Sequence, residues 1–152
     1  MPQPSPGLGL VGAVGVTRSV AITAEGLFLP EVRASDGRFG FGLTAIAIGA
    51  CVDVLHRDEI DLAACGAVWG GALHAVVYAL IPDAPGDFAW AAVEIGPRLR
   101  VRLAPHVHAE LGAHVFAPLV RRPFVVEGHA DTVFRQSVIA AEPFLGLGAN
   151  FR

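Results

Sequence analysis

The stretch from Glu94 to Leu103 reads EIGPRLRVRL, and its charged residues Glu94, Arg98, Arg100 and Arg102 all fall on even positions. Ile95, Pro97, Leu99, Val101 and Leu103 fall on the odd ones. Wound as a helix, this segment would scatter its arginines around the whole circumference. Extended as a strand, it gathers the charges on one face and the large apolar groups on the other, because successive side chains of a strand point to opposite sides. A strand with one charged and one greasy face is expected here.

The same period of two continues outward in both directions. Val107, Ala109, Leu111, Ala113, Val115, Ala117 and Leu119 alternate with His108, Glu110, Gly112, His114 and Phe116. Ile60, Leu62, Ala64 and Val68 oppose Asp61, Cys65 and Trp69, and Val20, Ile22, Ala24 and Phe28 oppose Ser19, Thr23 and Glu25. Near the end, Leu145, Leu147, Ala149 and Phe151 alternate with Gly146, Gly148 and Asn150. Strands are expected at 7–15, 19–30, 39–54, 60–79, 89–103, 106–120 and 136–151. Repeated segments of about 10 residues with one apolar face mark strands that cross a membrane when tilted. The connections alternate in length: those at 16–19, 55–59 and 104–106 are short, those at 31–38, 80–88 and 121–135 long. Short turns on one side and long loops on the other are the habit of outer-membrane barrels.

The uncharged stretch from Leu62 to Pro82 offers a rival reading, since about 20 apolar residues would suffice for a membrane helix. Its Gly66, Gly70, Gly71 and His74, and its preponderance of alanine, make it a poor one. The 152-residue chain is 53% hydrophobic and only 16% charged, with a mean hydropathy of +0.55. Ordinary soluble domains carry about 25% charge. The fold expected is therefore all-β: a single small antiparallel up-and-down transmembrane β-barrel over residues 1–152, with seven of about eight strands visible. Barrels of that width are filled by side chains rather than open.

The net charge of -3 and the absence of any basic block speak against nucleic acid. The opening residues MPQPSP contain neither a positive nor an apolar signal region. Cys51 and Cys65 lie in no zinc-ligand spacing. They are equidistant from position 58 in the turn Leu55 to Glu59, so a regular hairpin places them opposite each other on one face, within reach of a disulfide. Two small buried thiols are the alternative.

The closing run FAPLVRRPFVVEG, VFRQ and EPFLGLGANF, together with the paired cysteines and the glycine-rich CGAVWGGAL that contains the second of them, resembles the outer-membrane β-barrel proteins abundant in myxobacteria and related bacteria. The resemblance implies a bacterial outer-membrane location, outer-membrane lipid as surroundings, and Phe151 as the terminal aromatic read by the barrel-assembly machinery. Chains of that kind usually end on the aromatic itself, whereas Arg152 follows here. They usually also carry a signal peptide and one more strand before the equivalent of residues 6–15. The expectation is an upstream continuation of the reading frame and, in the chain as given, an open seam between the first and last strands.

Among chemistry-bearing groups, Glu25, Glu94, Arg98, Arg100, Arg102, His108, Glu110, His114 and Glu142 share the inward parity and are expected to pair as a lumenal polar network. In particular, Arg98, Arg100 and Arg102 are expected to find Glu94, Glu110 and Glu142. His106 and His108 have two-ligand spacing but no readable third ligand, and the G-x-G-x-x-G match at Gly7 to Gly12 lacks a preceding strand. Trp69, Trp90, Phe88 and Tyr78 fit a membrane-interface girdle better than a ligand platform. No catalytic, metal or cofactor residue is assigned. The role expected is structural, anchoring or surface interaction, with the hairpin around Pro123 to Arg135 as the contact candidate. A lipid-modifying enzyme is the alternative, recognisable by a His, a carboxylate and a hydroxyl converging near the outer rim; a narrow porin is a third.

Overall fold

The computed structural model of the chain describes residues 6–33, 39–77, 86–121, 123–125, 132–135 and 137–150. Every alternating segment is a strand. They are β1 (Leu8–Gly15), β2 (Val20–Arg33), β3 (Phe39–Arg57), β4 (Ile60–Val77), β5 (Gly86–Ala104), β6 (Val107–Pro118) and β9 (Ala140–Ala149), with the short β7 (Pro123–Val125) and β8 (Thr132–Arg135) in the longest connection. No helix among the described residues is long and apolar enough to cross a membrane. The uncharged Leu62 to Pro82 stretch is largely strand β4, its alanines and glycines alternating across the sheet.

Seven strands form one antiparallel sheet in the order β1-β2-β3-β4-β5-β6-β9, a meander curled into a half-barrel, while β7 and β8 pair by themselves. Among the described residues no ladder joins β9 to β1, so the sheet has an open seam. With an odd number of strands, β1 and β9 run parallel, and a single further strand antiparallel to both would bridge them. Phe151 lies outside the described residues, as does Tyr78.

The two faces differ in kind. The concave face holds the buried residues: Leu43, Ala45, Ala47, Ala67, Trp69, Trp90, Ala92 and Phe116 make one apolar cluster. Thr23, Glu25, Glu94 and Arg98 are buried beside them. Alanine supplies half of the apolar cluster, and the large rings of Trp69, Trp90 and Phe116 pack over it. Trp69 and Trp90 belong to this core, their ring centroids 5.9 and 6.3 Å from that of Phe116 in edge-on and tilted contacts. The interface girdle expected for them is thus corrected: their odd and even positions on β4 and β5 meet on the same inward face, where Trp69 Nε1–H finds a carboxylate. The convex face carries the large aliphatics, with Leu145 81%, Leu10 79%, Ile46 73% and Ile48 73% exposed.

Cys51 and Cys65 are directly opposed in the β3–β4 ladder and form a disulfide, with Cα atoms 4.1 Å apart. The route to that register differs from a regular hairpin about position 58. The turn is the two-residue Asp58-Glu59, bounded by the Arg57–Ile60 pair, which by itself would set Cys51 against Gly66. A bulge at Val54, between the Asp53–Ala63 and Leu55–Leu62 pairs, shifts the register by one and restores the cysteine pair. The bulge thereby also keeps Ala63, Ala67 and Trp69 on the inward face, since a slip of one residue would invert all of β4.

Candidate functional site

The polar interior is built from even positions of β5, β6 and β9 and odd positions of β1 to β4. Its centre is Arg98, whose side chain is 1% exposed and whose Nη2 donates to Glu25 Oε1 at 2.9 Å across the concave space. The guanidinium lies 5.5 Å over the Phe144 ring, and its Nε and Nη1 have no hydrogen-bond partner among the described residues. Glu94 accepts a hydrogen bond from Trp69 Nε1–H, and its other oxygen lies 3.5 Å from His114 Nε2, a long electrostatic contact. His114 also packs on Phe144 and Phe116, with centroids at 4.5 and 5.8 Å. Nearer the short turns, Arg100 Nε donates to Glu110 Oε1 at 2.7 Å, and the same oxygen lies 3.1 Å from His108 Nε2.

A glycine lets this centre close. Toward β6 the ladder passes from the Ile95–Val115 pair to the Arg98–Gly112 pair, skipping Gly96 and Pro97. A Cβ on Gly96 would stand 1.9 Å from the carbonyl oxygen of Ala113. Only a residue without a side chain admits the β6 backbone there, between Glu94 and Arg98 on one strand and beside His114 on the next.

The partnerships differ from those read along the sequence. Arg98 pairs with Glu25, on a strand distant in the sheet, because both point into the same narrow interior. Arg100 and Glu110 do meet, as cross-strand partners. Arg102 is exposed, lies near the short turn with Glu59, His106 and Asn150, and makes no ion pair among the described residues. Glu142 faces His114 in the β6–β9 register but likewise makes no ion pair among the described residues. Glu142 lies toward the open side, where a cavity of about 1130 Å³ is lined by Glu142, Glu25, Arg98 and residues of β1 and β9.

Glu25, Glu94 and His114 bring one ligand atom each within 4.8 Å of one another, a grouping that could hold a metal ion. Glu25, one of the three, is already paired with the Arg98 guanidinium at 2.9 Å, and a dication held by Glu25 would compete with that pair. The arrangement therefore fits an ion-paired polar core better than a metal centre. Gly7 to Gly12, with its dinucleotide-like letters, enters strand β1 and opens no helix.

A second cluster lies on the convex face, and the sequence reading did not single it out. Thr44 on β3, His74 on β4 and Asp87 on β5 converge at the end of the sheet that carries the long connections. Thr44 shares its parity with Ile46 and Ile48, His74 with Val68, and Asp87 with Val93 and Ile95, all outward. A polar residue at an apolar-face position, recurring near the same end of three successive strands, is the signal that could have found them.

No family model, curated protein or solved structure matches the chain.

Proposed function

We propose that this chain is a bacterial outer-membrane β-barrel protein with a side-chain-filled interior, acting in a structural, anchoring or surface-interaction role. One observation carries the reading: the sheet is inside out relative to a water-soluble one. Charges are inside, with Arg98 1%, Glu94 3% and Glu25 6% exposed, while isoleucine, leucine and valine cover the outside. A lone exposed leucine is ordinary, but a contiguous apolar face across seven strands marks an interaction surface. Along β3 the outward positions Ile46, Ile48, Ala50, Val52 and Val54 are all apolar. That run of about 9 residues, at roughly 3.3 Å each, matches the hydrocarbon thickness of about 25 Å that barrel strands present to lipid.

In lipid the seam between β1 and β9 cannot stay bare, because each unsatisfied backbone group in hydrocarbon costs several kcal/mol. A further strand antiparallel to both would close the ring. On this reading the short turns at 16–19, 58–59 and 105–106 face the periplasm and the β7–β8 hairpin faces outward, where it is available for contact. Outer-membrane lipid and the barrel-assembly machinery are the partners this reading implies.

The test is biochemical. The chain should require detergent for solubility, give a β-type circular-dichroism spectrum in micelles, and migrate differently on gels before and after heating. A monodisperse monomer in plain buffer contradicts the proposal.

A further inference from the structure

The convex face is apolar from strand to strand until the end bearing the long connections, where Thr44, His74 and Asp87 interrupt it. In the ladders Gly42 pairs with His74 and His74 with Asp87, and Thr44 is the next outward residue along β3. Thr44 Oγ1 lies 2.9 Å from His74 Nε2, and Asp87 Oδ1 lies 2.6 Å from His74 Nδ1. A carboxylate can only accept, so Nδ1 carries the ring proton and donates it to Asp87. Nε2 is then the acceptor for the Thr44 hydroxyl. Each ring nitrogen is thus committed to the partner that a nucleophile, base and orienting acid require, in the correct order.

The surroundings suit a lipid. Thr44 is exposed, and the side chains of His74 and Asp87 are 30% and 68% exposed, so the hydroxyl is reachable from outside the sheet. From Thr44 toward the middle of the apolar face, Gly70, Ala72, Ala89 and Ala91 leave a low strip along β4 and β5, flanked by Ile46 at 73% exposure. A Cβ on Gly70 would meet nothing within 4 Å. An acyl chain can lie along that strip with its ester at the level of Thr44 and its headgroup at the rim.

We propose that Thr44, His74 and Asp87 form an acyl-transfer site, opening sideways to the membrane, that hydrolyses the carboxylic ester of an acylated membrane lipid. Thr44 Oγ adds to the ester carbonyl carbon while His74 Nε2 takes the hydroxyl proton. The tetrahedral adduct collapses with cleavage of the bond to the lipid alcohol, which leaves with the proton from Nε2, and Thr44 holds the acyl group as an ester. Water, deprotonated by the same Nε2, then attacks that ester, releasing the fatty acid and returning the proton to Thr44. Asp87 holds the ring tautomer and balances the imidazolium that forms in each half. This inference rests on the convex face being the lipid face.

The experiment uses the full chain folded in detergent micelles containing either a diacyl phospholipid or an acylated glucosamine lipid, with fatty-acid release measured for each. One of the two should be hydrolysed. Thr44→Ser should retain activity, and Thr44→Val, isosteric but without a hydroxyl, should lose at least about 1,000-fold, as should His74→Gln. Asp87→Asn should lose about 100-fold or more, with heat-dependent gel migration unchanged in every variant. Release of fatty acid from neither lipid, or a Thr44→Val variant as active as the parent, overturns the proposal. A nitroxide at position 48 reads the lipid face independently: lipid exposure there without hydrolysis defeats the acyl-transfer site alone, and water exposure there defeats both readings.

Discussion

Removal of the Arg98 side chain should be the most damaging charge substitution in the interior. Its side chain is 1% exposed and donates to Glu25 at 2.9 Å, and the ligand atoms of Glu25 and Glu94 lie within 4.8 Å of each other. Arg98→Met keeps much of the volume but leaves two buried carboxylates facing one another. Breaking a buried pair costs about 3–5 kcal/mol, and here repulsion between the survivors adds to it. Glu25→Gln is the milder change, because it retains an acceptor for Nη2 and leaves Glu94 close by to balance the guanidinium. The double variant Glu25→Leu with Arg98→Met removes one partner from each side of the problem and should recover part of the loss. Urea unfolding in detergent, followed by tryptophan fluorescence from Trp69 and Trp90, reads all three. At 1.4 kcal/mol per decade, Arg98→Met should lower the folding constant by at least about 100-fold. A cost below about 1 kcal/mol, or one smaller than that of Glu25→Gln, refutes the assignment of Arg98 as the hub.

Arg100→Ala should cost less, about 1–3 kcal/mol, because the Arg100 side chain is 28% exposed and Glu110 keeps its contact with His108; the same unfolding series measures the difference. Reduction of the Cys51–Cys65 disulfide, which closes a loop across a sequence separation of 14, should lower stability by about 3 kcal/mol. The check is the unfolding midpoint with and without reductant, alongside a mass spectrum of the oxidised chain with no alkylatable thiol. Gly96→Ala should destabilise by about 1–3 kcal/mol through overpacking against the Ala113 carbonyl, whereas Gly70→Ala, with open space outside it, should be near neutral. Equal effects at the two glycines would contradict the packing described around Glu94 and His114.

Strand identity, face and hairpin order were legible because each alternating residue records which side it faces. Glu94 to Leu103 states this in its letters, and β5, β6 and β9 follow the expected parity throughout. The disulfide was legible because a hairpin pairs residues about its turn, although the pairing came through the Val54 bulge rather than a regular turn, and nothing in the local sequence announces that bulge. Partner choice in the interior was not legible. Arg98 reaches Glu25 across the curvature of the sheet, a relation set by three-dimensional closure and not by spacing along the chain. Trp69 and Trp90 were misplaced because a large ring in a membrane-spanning strand was read as an interface marker, although Trp69 stands in the middle of β4; their shared inward parity with Phe116 places both in the core. The Thr44, His74 and Asp87 cluster needed the registers of β3, β4 and β5 relative to one another, across a connection at 78–85 whose length the alternation does not constrain.

The central claim is that the convex face meets lipid and the concave face does not. Single nitroxide labels at positions 46, 48, 68, 95 and 145 on the convex face, and at 45, 47 and 67 on the concave face, test it by electron paramagnetic resonance in reconstituted vesicles. Collision with oxygen, which concentrates in hydrocarbon, is compared with collision with a water-soluble nickel chelate. The account predicts high oxygen and low nickel accessibility at every convex position, and low values of both at the concave positions. Nickel accessibility at positions 46, 48 and 68 comparable to that of an exposed site on a soluble protein contradicts it.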